Sequence, residues 1–190
     1  MRLLKKITLS LVLAASFGTS AFASVTQTTA PAGSFDSNWS SSQLGSVTLA
    51  SGTNTILGLT STVTIQDQGW GGQDPNNNQV VIGLFDNGVD IWGQHVAGGY
   101  HTQSTQTYDI STDASALSSL NAALNSIDWA SDPTVTMNMF TSTIGYPGWS
   151  LSTQDASFSV TSNVPEPASM ALLGLGLAGL LVSRRKFSKQ

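Results

Sequence analysis

Between Lys6 and Arg184 the side chains able to move a proton or hold a metal are few. They are His95, His101, Glu166 and the aspartates Asp36, Asp67, Asp74, Asp86, Asp90, Asp109, Asp113, Asp128, Asp132 and Asp155. There is no cysteine, so disulfides, thiolate metal sites and thiol nucleophiles are excluded. His95 and His101 stand six apart around Gly98-Gly99 with no Cys or Glu beside them. Two surface histidines in a hairpin loop are expected there, in preference to a metal pair. Serines are plentiful, yet no Gly-x-Ser-x-Gly elbow presents one to a histidine. A glycosidase needs two placed carboxylates, and the aspartates lie near turns, where Asp is favoured for its own backbone bonding. No enzyme is expected.

Binding chemistry has better footing. Asp67-Gln68-Gly69-Trp70-Gly71-Gly72-Gln73-Asp74 sets a Trp among glycines with a carboxylate on each side. A sugar ring stacks its C–H face on an indole while Asp67 and Asp74 take its hydroxyls. In the plainer alternative Trp70 plugs the end of a sandwich and the glycines make the turn. These eight residues resemble loops of galactose-binding-like jelly rolls. Asp86 and Asp90, flanking Asn87-Gly88, offer oxygens to Ca²⁺, as do Asp67 and Asp74, and calcium would relieve repulsion among them. Their spacing fails the EF-hand pattern and a turn already accounts for Asn87 and Gly88, so no cofactor is expected.

The elements that would position these residues read as β. Leu57, Leu59, Val63 and Ile65 share one parity and Thr60, Thr62 and Thr64 the other, the period of a strand. Val47 and Leu49 alternate in the same way. Val80 to Phe85 is apolar on both parities and suits a strand covered on both faces. Asp86-Asn87-Gly88 leading into Val89 to Trp92 is the best hairpin signal, because Asn-Gly takes the positive φ angles of a type I′ turn. Further strands are expected at Thr105 to Ile110, Thr134 to Thr141, Trp149 to Thr153 and Ala156 to Thr161. Leu117, Leu120, Leu124 and Ile127 fall at helical spacing, with Ser111, Thr112 or Asp113 as the cap. Ser24 to Asp36 reads as a leader or loose edge strand. The expected class is all-β, a β-sandwich or jelly roll with one accessory helix.

The ends read as addresses. Arg2, Lys5 and Lys6 precede the apolar run Ile7 to Phe17, and Ala21-Phe22-Ala23 supplies the small side chains a signal peptidase requires. That order outweighs a buried amphipathic helix, and cleavage after Ala23 is expected. Near the other end Pro165-Glu166-Pro167 leads into apolar residues 168–183 and then Arg184-Arg185-Lys186. A transmembrane helix over 168–183 would be roughly 24 Å long, against a hydrocarbon core of roughly 30 Å. The basic residues stay cytoplasmic and everything before Pro165 lies outside. The chain thus divides into a signal peptide over 1–23, an outer domain over 24–163 and a C-terminal segment over 164–190.

This trio resembles the PEP-CTERM sorting signal of Gram-negative bacteria. The resemblance implies an exosortase-type membrane enzyme that recognises Pro165, Glu166 and Pro167, with Arg184 and Arg185 as the cytoplasmic stop and the tail removed near the tripeptide. The alternative at the same residues is a permanent single-pass anchor. Export machinery of the Sec type and signal peptidase would act first, and the inner membrane holds the intermediate.

All seven Lys and Arg lie in those two terminal segments. The outer domain is therefore polyanionic with no fixed cation, and nucleic acid is excluded as a partner. The expectation is a surface or extracellular-matrix protein, in keeping with the exopolysaccharide and biofilm setting that the resemblance implies, with polysaccharide as a candidate ligand. A glycan-acting hydrolase and a purely structural matrix protein are the rival classes.

Overall fold

The computed structural model describes residues 22–30, 33–35, 39–68, 77–132, 134–143 and 150–164. The signal-peptide core, Trp70, Asp74 and the segment from Pro165 onward lie outside the described residues. The chain divides into two units, one of Ala23–Val164 and one of Met1–Phe22 with Pro165–Gln190.

The first unit is built from β1 (Phe22–Ala30), β2 (Gly33–Phe35), β3 (Gln43–Thr48), β4 (Thr55–Gln68), β5 (Asn78–Asp86), β6 (Val89–Gly98), β7 (Ser104–Asp109), β8 (Val135–Thr143) and β9 (Ser150–Val164). Pairing is nested: β5 with β6, β4 with β7, β3 with β8 and β2 with β9, all antiparallel. Such nesting is one long hairpin doubled over on itself. β4 also pairs with β9 and β5 with β8, which gathers the strands into two sheets. Their orders are β1-β9-β4-β7, with β2 also on β9, and β3-β8-β5-β6. This is the jelly-roll arrangement. Its tip is the Asn87-Gly88 turn, where φ is 47° and 83° as a type I′ turn requires.

Alternation drives the sheets together. Leu59, Val63 and Ile65 of β4 and Phe158 and Val160 of β9 face Val80, Ile82 and Leu84 of β5 and Val135, Met137 and Met139 of β8, all buried. Each such side chain contributes about 1.5–3 kcal/mol on burial. The other parity of β5 is half-covered, and there Phe85 meets Phe140 edge to face at 5.9 Å between ring centres.

Two register shifts depart from the simple pattern. Leu57 has no partner between the pairs Ile56↔Ser162 and Gly58↔Thr161. This bulge turns Leu57 outward, 48% exposed, and gives the inward place to Ile56. In place of the two separate strands expected over 149–161, β9 is continuous, because its irregularity near Gln154 is absorbed between Thr64↔Asp155 and Ile65↔Thr153 without breaking the ladder. The stretch expected as a leader or edge strand holds β1 and β2, with β1 at the sheet edge.

After β7 a 3₁₀ turn (Ile110–Thr112) leads into α1 (Ala114–Leu124). Asp113 is the cap, its carboxylate accepting from Ala116 N at 3.0 Å. An 11-residue helix is marginal alone. Burial of Ala116, Leu120 and Leu124, together with Trp92 Nε1 donating to Ser119 Oγ at 2.9 Å, holds it in place.

Candidate functional site

β4 runs into the connection to β5 at Asp67, and β5 leaves it at Asn78. The sequence leads one to expect Asp67 to display its carboxylate to a ligand beside Trp70. Instead alternation carries it inward: position 67 shares the parity of Val63 and Ile65, and Asp67 is 1% exposed. Its carboxylate accepts from Asn78 Nδ2 at 2.9 Å, and Asn78 is itself fully buried. The backbone around them is tied to a third segment. Asp67 N donates to Tyr100 O at 2.8 Å, Gly99 N to Asn78 O at 2.7 Å, and Gln66 Nε2 to His101 O at 2.8 Å. Burial pushes the Asp67 carboxyl above the usual aspartate range, against the opposing pull of the Asn78 bond and of the His101 charge.

Nothing in the sequence singles out Asn78 and His101 together with Asp67. A β-strand start rich in Asn and a histidine 34 positions downstream of Asp67 carry no local signal of meeting. The structure moves His95 away from the surface-loop reading, while His101 lies in the connection from β6 to β7. His95 lies in β6 and its Nε2 sits 2.9 Å from Ala97 O. His101 is half-buried, with a buried Nε2 that has no hydrogen-bond partner.

Asp86 and Asp90 close the hairpin tip. The pairs Asp86↔Val89 and Phe85↔Asp90 follow each other in the ladder, so the two carboxylates fall on opposite faces. Asp90 accepts from Trp92 N at 3.2 Å. Asp86 meets Asp132 instead, and Asn87 Nδ2 donates to Asp132 Oδ1. Burial first, and then the Asp132 charge, pushes the Asp86 carboxyl upward. Among the described residues no three His, Asp or Glu side chains form a metal-binding group.

One face of the β1-β9-β4-β7 sheet is a lattice of hydroxyls. The register aligns three rows across β7, β4 and β9: Asp109–Thr60–Ser159, Thr107–Thr62–Ser157 and Thr105–Thr64–Asp155. These residues are exposed or half-exposed, and Thr64 and Thr105 share a hydroxyl bond at 2.9 Å. The sequence shows the Thr60, Thr62, Thr64 parity, but the neighbours that complete each row come from distant strands.

β9 ends at Val164, and residues 163–186 match the PEP-CTERM protein-sorting motif. The chain thus carries the exosortase sorting signal expected from Pro165-Glu166-Pro167, the apolar stretch and Arg184-Arg185. The motif implies a membrane-transiting protein, with a signal peptide and a C-terminal transmembrane segment, processed by an exosortase and delivered to the cell surface. Among the described residues no helix is long and apolar enough to cross a membrane. No curated protein matches the chain. Among solved structures, the chain is similar to the VP2 subviral particle of infectious bursal disease virus at 14% identity and a TM-score of 0.44, over 74% of this chain and 33% of that one. A second similarity, to T=1 particles derived from the same virus, has 14% identity and a TM-score of 0.47 over 74% and 32%. The chain spans about a third of the length of these structures.

Proposed function

We propose that this is a non-enzymatic surface or matrix protein whose outer domain meets exopolysaccharide through the hydroxyl face of the β1-β9-β4-β7 sheet. The sorting motif carries the surface part of the reading. It begins where β9 ends, so trimming near Pro165 leaves every strand of the jelly roll intact. Sec export, signal-peptidase cleavage after Ala23 and release of the tail complete the route.

The hydroxyl rows support the polysaccharide part. Thr and Ser side chains donate and accept, as sugar hydroxyls do, and strands fix their spacing in two directions. Each neutral hydrogen bond nets only about 0.5–1.5 kcal/mol against water. A single sugar would therefore be held weakly, whereas a polymer spanning several rows gains by multivalency.

The test is retention of the exported protein on immobilised polysaccharides, with monosaccharide competitors and a turnover assay in parallel. Retention that monosaccharides fail to compete, without cleavage of the polymer, supports the reading. Polymer cleavage would make the protein a hydrolase, and no retention would leave a purely structural role. Mass spectrometry of the mature product checks the route, with an expected start at Ser24 and end near Pro165. Recovery of Arg184 in that product would establish a permanent anchor instead.

A further inference from the structure

The outer domain carries fixed negative charge and no fixed positive charge. Of the chain's 11 acids all but Glu166 fall between Ser24 and Asn163, and its 7 Lys and Arg all lie outside that span. Such a domain draws its counter-charge from solution or from whatever it binds. Two of the acids give that general attraction a place. In the hydroxyl lattice Asp109 on β7 closes the row Asp109–Thr60–Ser159, and Asp155 on β9 closes the row Thr105–Thr64–Asp155. Both are exposed, and they stand at opposite corners of the face with exposed Thr62 between them. At about 3.4 Å per residue along a strand and about 4.8 Å between strands, the corners are roughly 17 Å apart. Bonds from Ser111, whose N–H donates to Asp109 Oδ1 at 2.9 Å, hold the Asp109 carboxyl below the usual aspartate range, so it keeps its charge in mild acid.

No aromatic side chain belongs to the three rows, so they offer a sugar ring no stacking face. They offer hydroxyls across the middle and a carboxylate at two corners. A neutral polymer meets only the hydroxyls. An anionic polymer is repelled at both corners and by the domain as a whole. A polymer with ammonium groups beside its hydroxyls meets both kinds of group, and its N–H donation to the carboxylates is charge-assisted. A single sugar cannot reach from one corner to the other, whereas a chain engages both.

On the reading that this face meets polysaccharide, we infer that its ligand is an amino-sugar polymer with free amines, laid across Thr62 between Asp109 and Asp155. Each exposed charge pair changes affinity by at most about fivefold, so the two corners act together with the hydroxyl rows and not in place of them.

The test passes the exported protein over immobilised chitosan, the same chitosan with its amines acetylated, dextran and polygalacturonate, in rising salt, with and without Ca²⁺. Retention is expected on chitosan, about tenfold weaker on the acetylated polymer and none on polygalacturonate, with salt releasing the protein from chitosan. Any acidic protein is drawn to chitosan, so variants carry the decision. Asp109→Asn combined with Asp155→Asn takes two charges from the face and should weaken binding about tenfold. Asp90→Asn combined with Asp132→Asn takes two from the hairpin tip of the other sheet and should change it less than about twofold. Thr62→Lys should abolish retention, while Thr48→Lys, exposed on the other sheet, should leave most of it. Equal losses in the two double variants, or in the two lysine variants, reduce the effect to diffuse charge and overturn the inference. Equal retention on the acetylated polymer, or Ca²⁺-dependent retention on polygalacturonate, also overturns it and leaves the polysaccharide reading standing. No retention on any of these polymers overturns both.

Discussion

The side-chain amide of Asn121 pairs with the backbone of Ile56 as a neighbouring strand would: Ile56 N donates to Asn121 Oδ1 at 2.7 Å and Asn121 Nδ2 donates to Ile56 O at 3.0 Å. β7 covers that edge of β4 only from Thr60 to Ile65. Past Thr60 the covering chain has turned away into the 3₁₀ turn and α1, and Asn121 continues the ladder in its place.

Removing that amide leaves an N–H and a C=O of a buried residue unpaired, since Ile56 is 1% exposed. Asn121→Ala should destabilise by about 2–3 kcal/mol, the penalty expected for orphaned buried backbone groups. Ser118→Ala, on the exposed side of the same helix, should stay within about 0.5 kcal/mol. Urea unfolding of both variants checks the contrast, and an Asn121→Ala variant as stable as Ser118→Ala would show that the amide does not hold the Ile56 backbone.

The jelly roll doubles over at Asn87-Gly88, so the turn sets the register of every nested pair. Gly88 has φ of 83° with open space where a Cβ would go. Gly88→Ala therefore isolates the backbone term, about 1–2 kcal/mol for a left-handed L-residue. Gly88→Asn should recover part of it, because Asn tolerates that region. The measurement is again equilibrium unfolding, and an Ala variant as stable as the parent would mean that the turn relaxes to another type.

Acid should first stabilise this protein and then unfold it. Burial and the Asp132 charge raise the Asp86 carboxyl, so the folded state takes up a proton before the unfolded state does. Stability then grows as pH falls from neutral through the raised value toward about 3.9, the ordinary aspartate value, and shrinks as pH rises again. Burial moves Asp67 in the same direction. Asp109, Asp113 and Asp128 behave oppositely, held low by bonds from Ser111 N, Ala116 N and Ser131 Oγ respectively. Their contribution is full above about 3.9 and is lost as pH falls through their lowered values. Thermal midpoints in chelator should pass through a maximum on the acid side, and Asp132→Asn should shrink the rise. A midpoint that only declines from neutral pH downward would contradict the raised carboxyls.

What can be read from the sequence is local. Asn87-Gly88, the Thr60 to Ile65 alternation, and Leu120 with Leu124 each declare turn, strand and helix within a few residues, and the sorting signal is a linear motif. Leu57 misleads because a one-residue bulge is set by the partner strand, not by Leu57 itself. Polar composition places Asp67 in the loop although its parity matches Val63 and Ile65; strand alternation continues two residues further than that composition suggests. The meeting of Asp67 with Asn78 and Tyr100, and of Asn121 with Ile56, depends on pairings between distant segments, for which local periodicity has no signal.

Two glycines of similar appearance in the sequence should respond with opposite signs. At Gly58 an added Cβ would find Thr161 Cβ at 3.9 Å, an ordinary contact. Gly58→Ala should then stabilise by about 0.5 kcal/mol, through the smaller conformational freedom of the unfolded chain. At Gly99 the same atom would lie 2.9 Å from Asp67 Cβ, 3.1 Å from the Asn78 carbonyl and 3.1 Å from Leu151 Cδ1. Two of those atoms belong to backbone or to a Cβ and cannot swing aside, while the Gly99 N–H is itself bound to Asn78 O. Gly99→Ala should cost about 2–3 kcal/mol by overpacking. It should also separate Asp67 from Asn78, so the buried pair opens to water and amide exchange at Asp67 N quickens more than at Leu59 N in the middle of β4. Uniform quickening along β4 would mean that the strain spreads through the sheet and that Gly99 has no special hold on the Asp67 end.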